Sequence, residues 1–154
     1  AYLLQQIGGA IGMLLFSWAA ERFGRRPAFV VGFSAALIMT LLVYWRLETP
    51  TQAYWMIPLM GAAQLSVFAG FSIYLPELFI GRVRGTGVSF CYNIGRFAAA
   101  GGSFLSAILT TQLFASYAAP LPLRYSAMTM CGVFLIGIIA AALAPETRGK
   151  PLKD

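Results

Sequence analysis

The sequence predicts an all-α fold, a polytopic membrane helical bundle of five transmembrane helices, and three observations predict it. Of the 154 residues 59% are hydrophobic and only 10% charged, too apolar a balance for a water-soluble domain of this length. The charges fall in clusters that cut the chain into uncharged runs at 1–20, 27–45, 49–76, 97–123 and 125–145, each near or above the roughly 20 residues that cross a bilayer as a helix. Basic residues also gather at alternate ends of these runs. Arg22, Arg25 and Arg26 follow the first, Arg82 and Arg84 the third, and Arg148, Lys150 and Lys153 the fifth, whereas the other side offers Arg46 and Arg124. By the positive-inside rule the richer side is cytoplasmic, so the expected topology has the N-terminus outside and the C-terminus inside an integral protein of the plasma (inner) membrane.

The first span, at about 1–20, carries a Gly8–Gly12 GxxxG pattern, which in lipid lets two helix backbones approach and gain dispersion contacts. A charged loop of about six residues leads to the second span at 27–46, making the two helices antiparallel neighbours. In the third span, 52–75, Pro58 should bend the helix and Pro76 should stop or unwind it, because each removes a backbone donor. The fourth span begins before Arg96, at about Thr86, and runs to about Leu113, with the small-residue stretch AAAGGS at 98–103 as a second close-packing surface. Pro120 and Pro122 punctuate the loop before the fifth span, 124–145, and keep it from continuing either helix. Cys91 and Cys131 both fall inside spans and read as buried apolar thiols.

Several functions are thin on support. With no histidine there is no Ser/His/Asp set, and no His, Cys, Asp and Glu cluster has metal-ligand spacing, so neither an enzyme nor a cofactor is indicated. The net charge of +6 belongs to membrane-edge loops rather than to a nucleic-acid face. The chain begins inside a span and without Met, which suggests a fragment.

The loop ERFGRRP, 21–27, resembles the cytoplasmic signature of the major facilitator superfamily of secondary transporters, G-x-x-x-D-R-x-G-R-R, with Ser17 at the usual Gly and Glu21 at the usual Asp. PELFIGRVRGTG, 76–87, is similar to the stretch joining helices ten and eleven in the sugar and organic-acid branches of that family. PETRGKPL, 145–152, resembles the motif closing their helix twelve. Three motifs in order on one face map the whole chain onto helices eight to twelve, as the C-terminal part of a twelve-helix carrier whose first seven helices are absent here. The resemblance implies a secondary carrier moving a small organic solute by rocking two halves, with the lipid bilayer and the N-terminal half as partners. It also calls for a cytoplasmic lock that closes in one state and opens in the other. We expect Glu21, Glu77 and Glu146 to share Arg22, Arg25, Arg26, Arg84 and Arg148 in such a gate, because exposed pairs contribute only about 0–1 kcal/mol each and are readily remade.

The candidate substrate site surrounds Arg96, the one charge inside a span. Ten residues beyond Thr86 it lies roughly 15 Å deep, where an unanswered charge costs at least about 2.5–3.5 kcal/mol. Ser89, Tyr92 and Asn93 accompany it on the same helix, and Gln64 lies deepest among the polar residues of the third span, with Gln5 and Gln6 on the first. Amides, hydroxyls and an aromatic ring suit a sugar, while the guanidinium fork suits a carboxylate or phosphate, favouring an anionic metabolite. The alternative is that Arg96 snorkels or pairs with Glu77 and only holds the fold. No Asp or Glu lies within a span interior, so a proton-coupling carboxylate would belong to the absent helices. A different class of reading is a five-span scaffold or assembly subunit in which GxxxG and the charged loops are packing devices alone.

Overall fold

The computed structural model describes residues 2–150; Ala1 and the predicted tail residues Pro151, Leu152 and Lys153 lie outside them. Among the described residues there are six α-helices: α1 (Tyr2–Phe23), α2 (Arg25–Arg46), α3 (Pro50–Leu78), α4 (Arg84–Ile108), α5 (Leu121–Met130) and α6 (Gly132–Leu143). A 3-10 turn at Gly81–Val83 precedes α4, and a π-helical turn at Leu109–Leu113 extends it. Helices α5 and α6 form a single run of 23 residues with one tightened turn at Cys131, whose N–H is shared between the carbonyls of Ala127 and Met128. This run and α1, α2 and α3 are each long and apolar enough to cross a membrane. The span expected at 86–113 is different: α4 has the length, but its composition is too polar to count with the other four.

Short-range chemistry explains the boundaries and corrects three of them. The expected six-residue loop between α1 and α2 is one residue, Gly24, whose φ of 109° is open to glycine and strained for other residues. The arginines therefore sit on the helix ends themselves. Helix α3 starts with a capping box, Gln52 N–H donating to the Thr49 hydroxyl while the Gln52 amide oxygen accepts from the Thr49 N–H, and with Pro50 in its first turn. It runs through Pro76 and ends two residues later at Leu78, so the proline closes the helix within its last turn rather than at its own position. Pro122 likewise starts α5 rather than separating it, since an N–H in the first turn has no intrahelical partner to lose.

Packing is densest between α1 and α3. A Cβ on Gly8 would lie 1.9 Å from the Pro58 carbonyl oxygen, one on Gly12 2.1 Å from that of Ala62, and one on Gly61 2.2 Å from that of Gln5. The GxxxG pattern thus brings backbone against backbone. Towards the Gly24 end, Phe16, Phe29, Phe71 and Tyr74 form an aromatic core, with ring centroids 5.2–5.5 Å from Phe29. The second small-residue surface behaves differently: a Cβ on Gly102 would lie 3.4 Å from Met130, one on Gly101 would meet nothing within 4 Å, and the other residues of 98–103 are exposed.

Candidate functional site

Two polar assemblies stand out, one at the Gly24 end and one among α2 to α6. At the Gly24 end, Arg25 forks onto Glu77, Nη2 donating to Oε1 at 2.7 Å and Nε to Oε2 at 3.2 Å. The side chains are only 15% and 17% exposed, so the pair is shielded from water and salt more than a surface bridge would be. Arg25 Nη1 also donates to the Ala20 carbonyl, and the Thr147 hydroxyl donates to Glu77 Oε2. Three parts of the chain 52 to 122 residues apart are joined by one arginine–carboxylate–hydroxyl chain (77 − 25 = 52; 147 − 25 = 122).

Glu146 does something other than take up guanidinium groups. Its carboxylate accepts the backbone N–H groups of Arg25 (2.9 Å) and Arg26 (3.0 Å), the orphan donors that open α2, and those of Thr147 (3.1 Å) and Arg148 (3.0 Å). Burial works to raise its pKa, but the four amides outweigh that and hold the carboxyl below its ordinary range. Tyr74, near the end of α3, turns its hydroxyl to the Pro145 carbonyl at 2.8 Å. The remaining gate residues are arranged around this knot. Arg26 donates to the Ala142 carbonyl at the end of α6, and Arg22 lies over the Trp18 ring at 5.5 Å. Glu21 and Arg148 are exposed, and half-buried Arg84 opens α4.

The second assembly borders a cavity of about 840 Å³ between α2, α3, α4 and the α5–α6 run. Gln64 reaches it and is held from both sides: its Nε2 donates to the Thr40 hydroxyl at 2.9 Å, and its Oε1 accepts from Gln5 at 3.4 Å. Tyr44, Ser103 and Ser106 add further polar atoms to the wall. Thr40 and Ser106 were missed from sequence because a lone hydroxyl in an apolar run carries no sign of its partner.

Ser89, Asn93 and Arg96 do not line this cavity. They occupy a neighbouring strip of α4 that is exposed, with Arg96 at the centre of the helix, twelve residues from either end (96 − 84 = 12; 108 − 96 = 12). Asn93 turns its amide back to the Ser89 carbonyl at 2.9 Å. Tyr92, half-buried between the two surfaces, meets the Ser72 hydroxyl at 3.2 Å and ties α4 to α3. The structure thus separates the sequence-derived set into Gln64 on the cavity and Arg96 on the open strip.

The described residues form an all-helical bundle, four of its crossings long and apolar enough to span a membrane, knotted by charges at one end and polar along one helix. The model of the Sugar (and other) transporter family matches residues 5–154, and the chain belongs to that family. It is 28% identical over 153 residues to a probable 4-methylmuconolactone transporter of Cupriavidus pinatubonensis, covering 98% of this chain and 34% of that protein. It is 29% identical over 106 residues to the 4-hydroxybenzoate transporter PcaK of Acinetobacter baylyi, covering 69% of this chain and 23% of the relative. The inward-open xylose transporter XylE of E. coli matches the structure with a TM-score of 0.65 at 21% identity, over 94% of this chain and 36% of that one, a likeness of fold. The chain spans about a third or less of the length of these curated relatives.

Proposed function

We propose that this chain is the C-terminal part of a secondary carrier that moves a small organic anion by alternating access, with the N-terminus outside and the C-terminus cytoplasmic. The observation that carries the reading is Arg96, a fixed cation at the midpoint of the least apolar long helix, on a strip shared with Ser89 and Asn93. A charge at that depth is tolerated when it faces an aqueous path or a partner, and its fork fits a carboxylate bidentately. A relative named as a 4-hydroxybenzoate transporter supports a carboxylate solute. In this reading the strip faces the pathway, Tyr92 borders it on the side of α3, and the second half of the carrier closes the opposite wall.

The Gly24-end knot is the cytoplasmic gate. Arg25 and Glu77 hold α2 to α3 while Glu146 and Thr147 bring in the end of the α5–α6 run, so one state keeps the knot and the other loosens it. The test is uptake of labelled 4-hydroxybenzoate by cells producing the full-length transporter that contains this chain. Arg96→Gln should lower uptake at least about tenfold, the equivalent of losing one charge-assisted hydrogen bond, with unchanged amounts of protein in the membrane. Uptake equal to wild type would remove Arg96 from the binding role and leave it as a fold-holding residue.

A further inference from the structure

At the end of the bundle away from Gly24 charges are few, and one of them is built into a pocket. Arg124, in the first turn of α5, is half-buried in the wall of a pocket of about 370 Å³ bounded by the start of α1, the end of α2 and the first half of α3. Its Nη2 donates to the carbonyl of Leu47, the residue that caps the end of α2. That bond occupies one donor of a guanidinium that carries five. Among the described residues Arg124 forms no ion pair. Arg46 lies over the Trp45 ring at 5.5 Å and Glu48 is exposed; neither lines the pocket, so the charge in its wall is that of Arg124.

The rest of the wall has the make-up of a small-molecule site. Val43, Ile57 and Met60 supply apolar surface, Tyr44 a ring and Gln5 an amide. The volume falls within the roughly 300–1,000 Å³ that such sites occupy, and a mostly apolar wall with a few fixed polar groups is their usual composition. The pocket also adjoins the cavity of about 840 Å³: Tyr44 borders both, and Gln5 Nε2 donates to Gln64 Oε1 at 3.4 Å between them. Arg124 and Gln64 thus belong to neighbouring chambers within the bundle, whereas Arg96 lies on the open strip of α4.

We infer that this pocket binds a small carboxylate with an apolar body, its oxygens on the Arg124 guanidinium and its body against Val43, Ile57 and Met60. A guanidinium fork takes a carboxylate bidentately, and an apolar wall strengthens the pairing by lowering the local dielectric. A bare inorganic anion would answer the charge and leave the apolar wall unmatched. The occupant belongs to the solute class proposed for the Arg96 strip, and for its biological source the inference rests on that reading. The pocket is a second place for such a solute, at the end of the bundle opposite the charged knot.

The test is equilibrium dialysis of labelled benzoate against the purified full-length transporter that contains this chain. Wild type should hold two equivalents, one at Arg96 and one at Arg124. Arg124→Gln should weaken binding of one of them at least about tenfold, and Arg96→Gln should keep that one. Met60→Trp fills the pocket and leaves the Arg124–Leu47 contact in place, so loss of the same equivalent with an unchanged unfolding midpoint separates binding from the capping of α2. In the Arg96→Gln background, benzyl alcohol has the ring without the charge and inorganic phosphate the charge without the ring. Each should displace benzoate at least about tenfold less well than unlabelled benzoate does. A single wild-type equivalent that Arg124→Gln removes and Arg96→Gln does not would uphold this pocket and refute binding at Arg96. Unchanged binding in Arg124→Gln overturns the inference, or unchanged binding in Met60→Trp should Arg124→Gln fail to fold. Displacement by benzyl alcohol as strong as by benzoate overturns it as well.

Discussion

Helices α1 and α3 meet backbone to backbone, with three glycines each lying where a Cβ would strike a carbonyl oxygen. Helix α4 touches its neighbours through hydroxyls, Tyr92 to Ser72 and Ser106 to buried Ser126, and leaves most of its length exposed. Their beginnings differ in the same sense: α2 is capped by Glu146 and α3 by a capping box, whereas no side chain caps α4. In lipid, where apolar contact alone does not hold helices together, intimate backbone contact marks a unit that moves as one body. A long polar helix held by a few hydroxyls marks a surface meant for something outside that unit, which is where the proposed pathway lies.

The sharpest way to break the contrast is to put a side chain into the α1–α3 contact. Gly12→Leu should destabilise the protein by about 3 kcal/mol or more, read as lost yield of monodisperse transporter and a lowered unfolding midpoint in detergent. A variant as stable as wild type would mean that α1 and α3 are not one rigid block. A smaller effect is expected from acid. Because the Glu146 carboxyl is held below its ordinary range, its stabilising contribution is complete above that range and is lost as pH falls through its depressed value. Thermal unfolding followed from neutral pH downward should show the loss, and Glu146→Gln should remove that acid dependence while lowering stability at neutral pH. The smallest effect belongs to α4: a Cβ on Gly101 meets no other atom within 4 Å, so Gly101→Ala should raise stability by about 0.5 kcal/mol through helix propensity alone. A clear loss on that change would place a close neighbour against α4.

The bundle was legible in sequence because charges bound apolar runs, and the helix limits follow those runs to within a few residues except at the fourth, where α4 begins at Arg84 and carries Arg96 inside it. Gly8 and Gly12 announced a close approach, yet nothing in their spacing named α3 as the partner, since a helical period fixes a face and not what meets it. The same limit explains Ala98–Ser103, whose small residues read like those of α1 yet are exposed here apart from Gly102. At the Gly24 end the residue types were evident, but the division of labour was not. Whether a glutamate takes a guanidinium or four amides depends on where the chain points its N–H groups: two of the four follow the turn at Gly24 and two follow Glu146 itself. Arg96 was placed by counting along its helix; its separation from Gln64 follows from helix rotation, which an almost uniformly apolar sequence leaves weakly marked.

The Glu146 cap also sets a timetable. The amide of Arg26 is made 120 residues before the carboxylate that receives it. At about 5–20 residues per second of synthesis, the start of α2 waits roughly 6–24 s for its acceptor. Over that interval the hairpin at Gly24 is an unfinished joint on a ribosome-bound chain, its donors satisfied by water or headgroups. Closure comes when the end of the α5–α6 run emerges, so the residue just past that run locks the start of α2 only after the helices between them have been made.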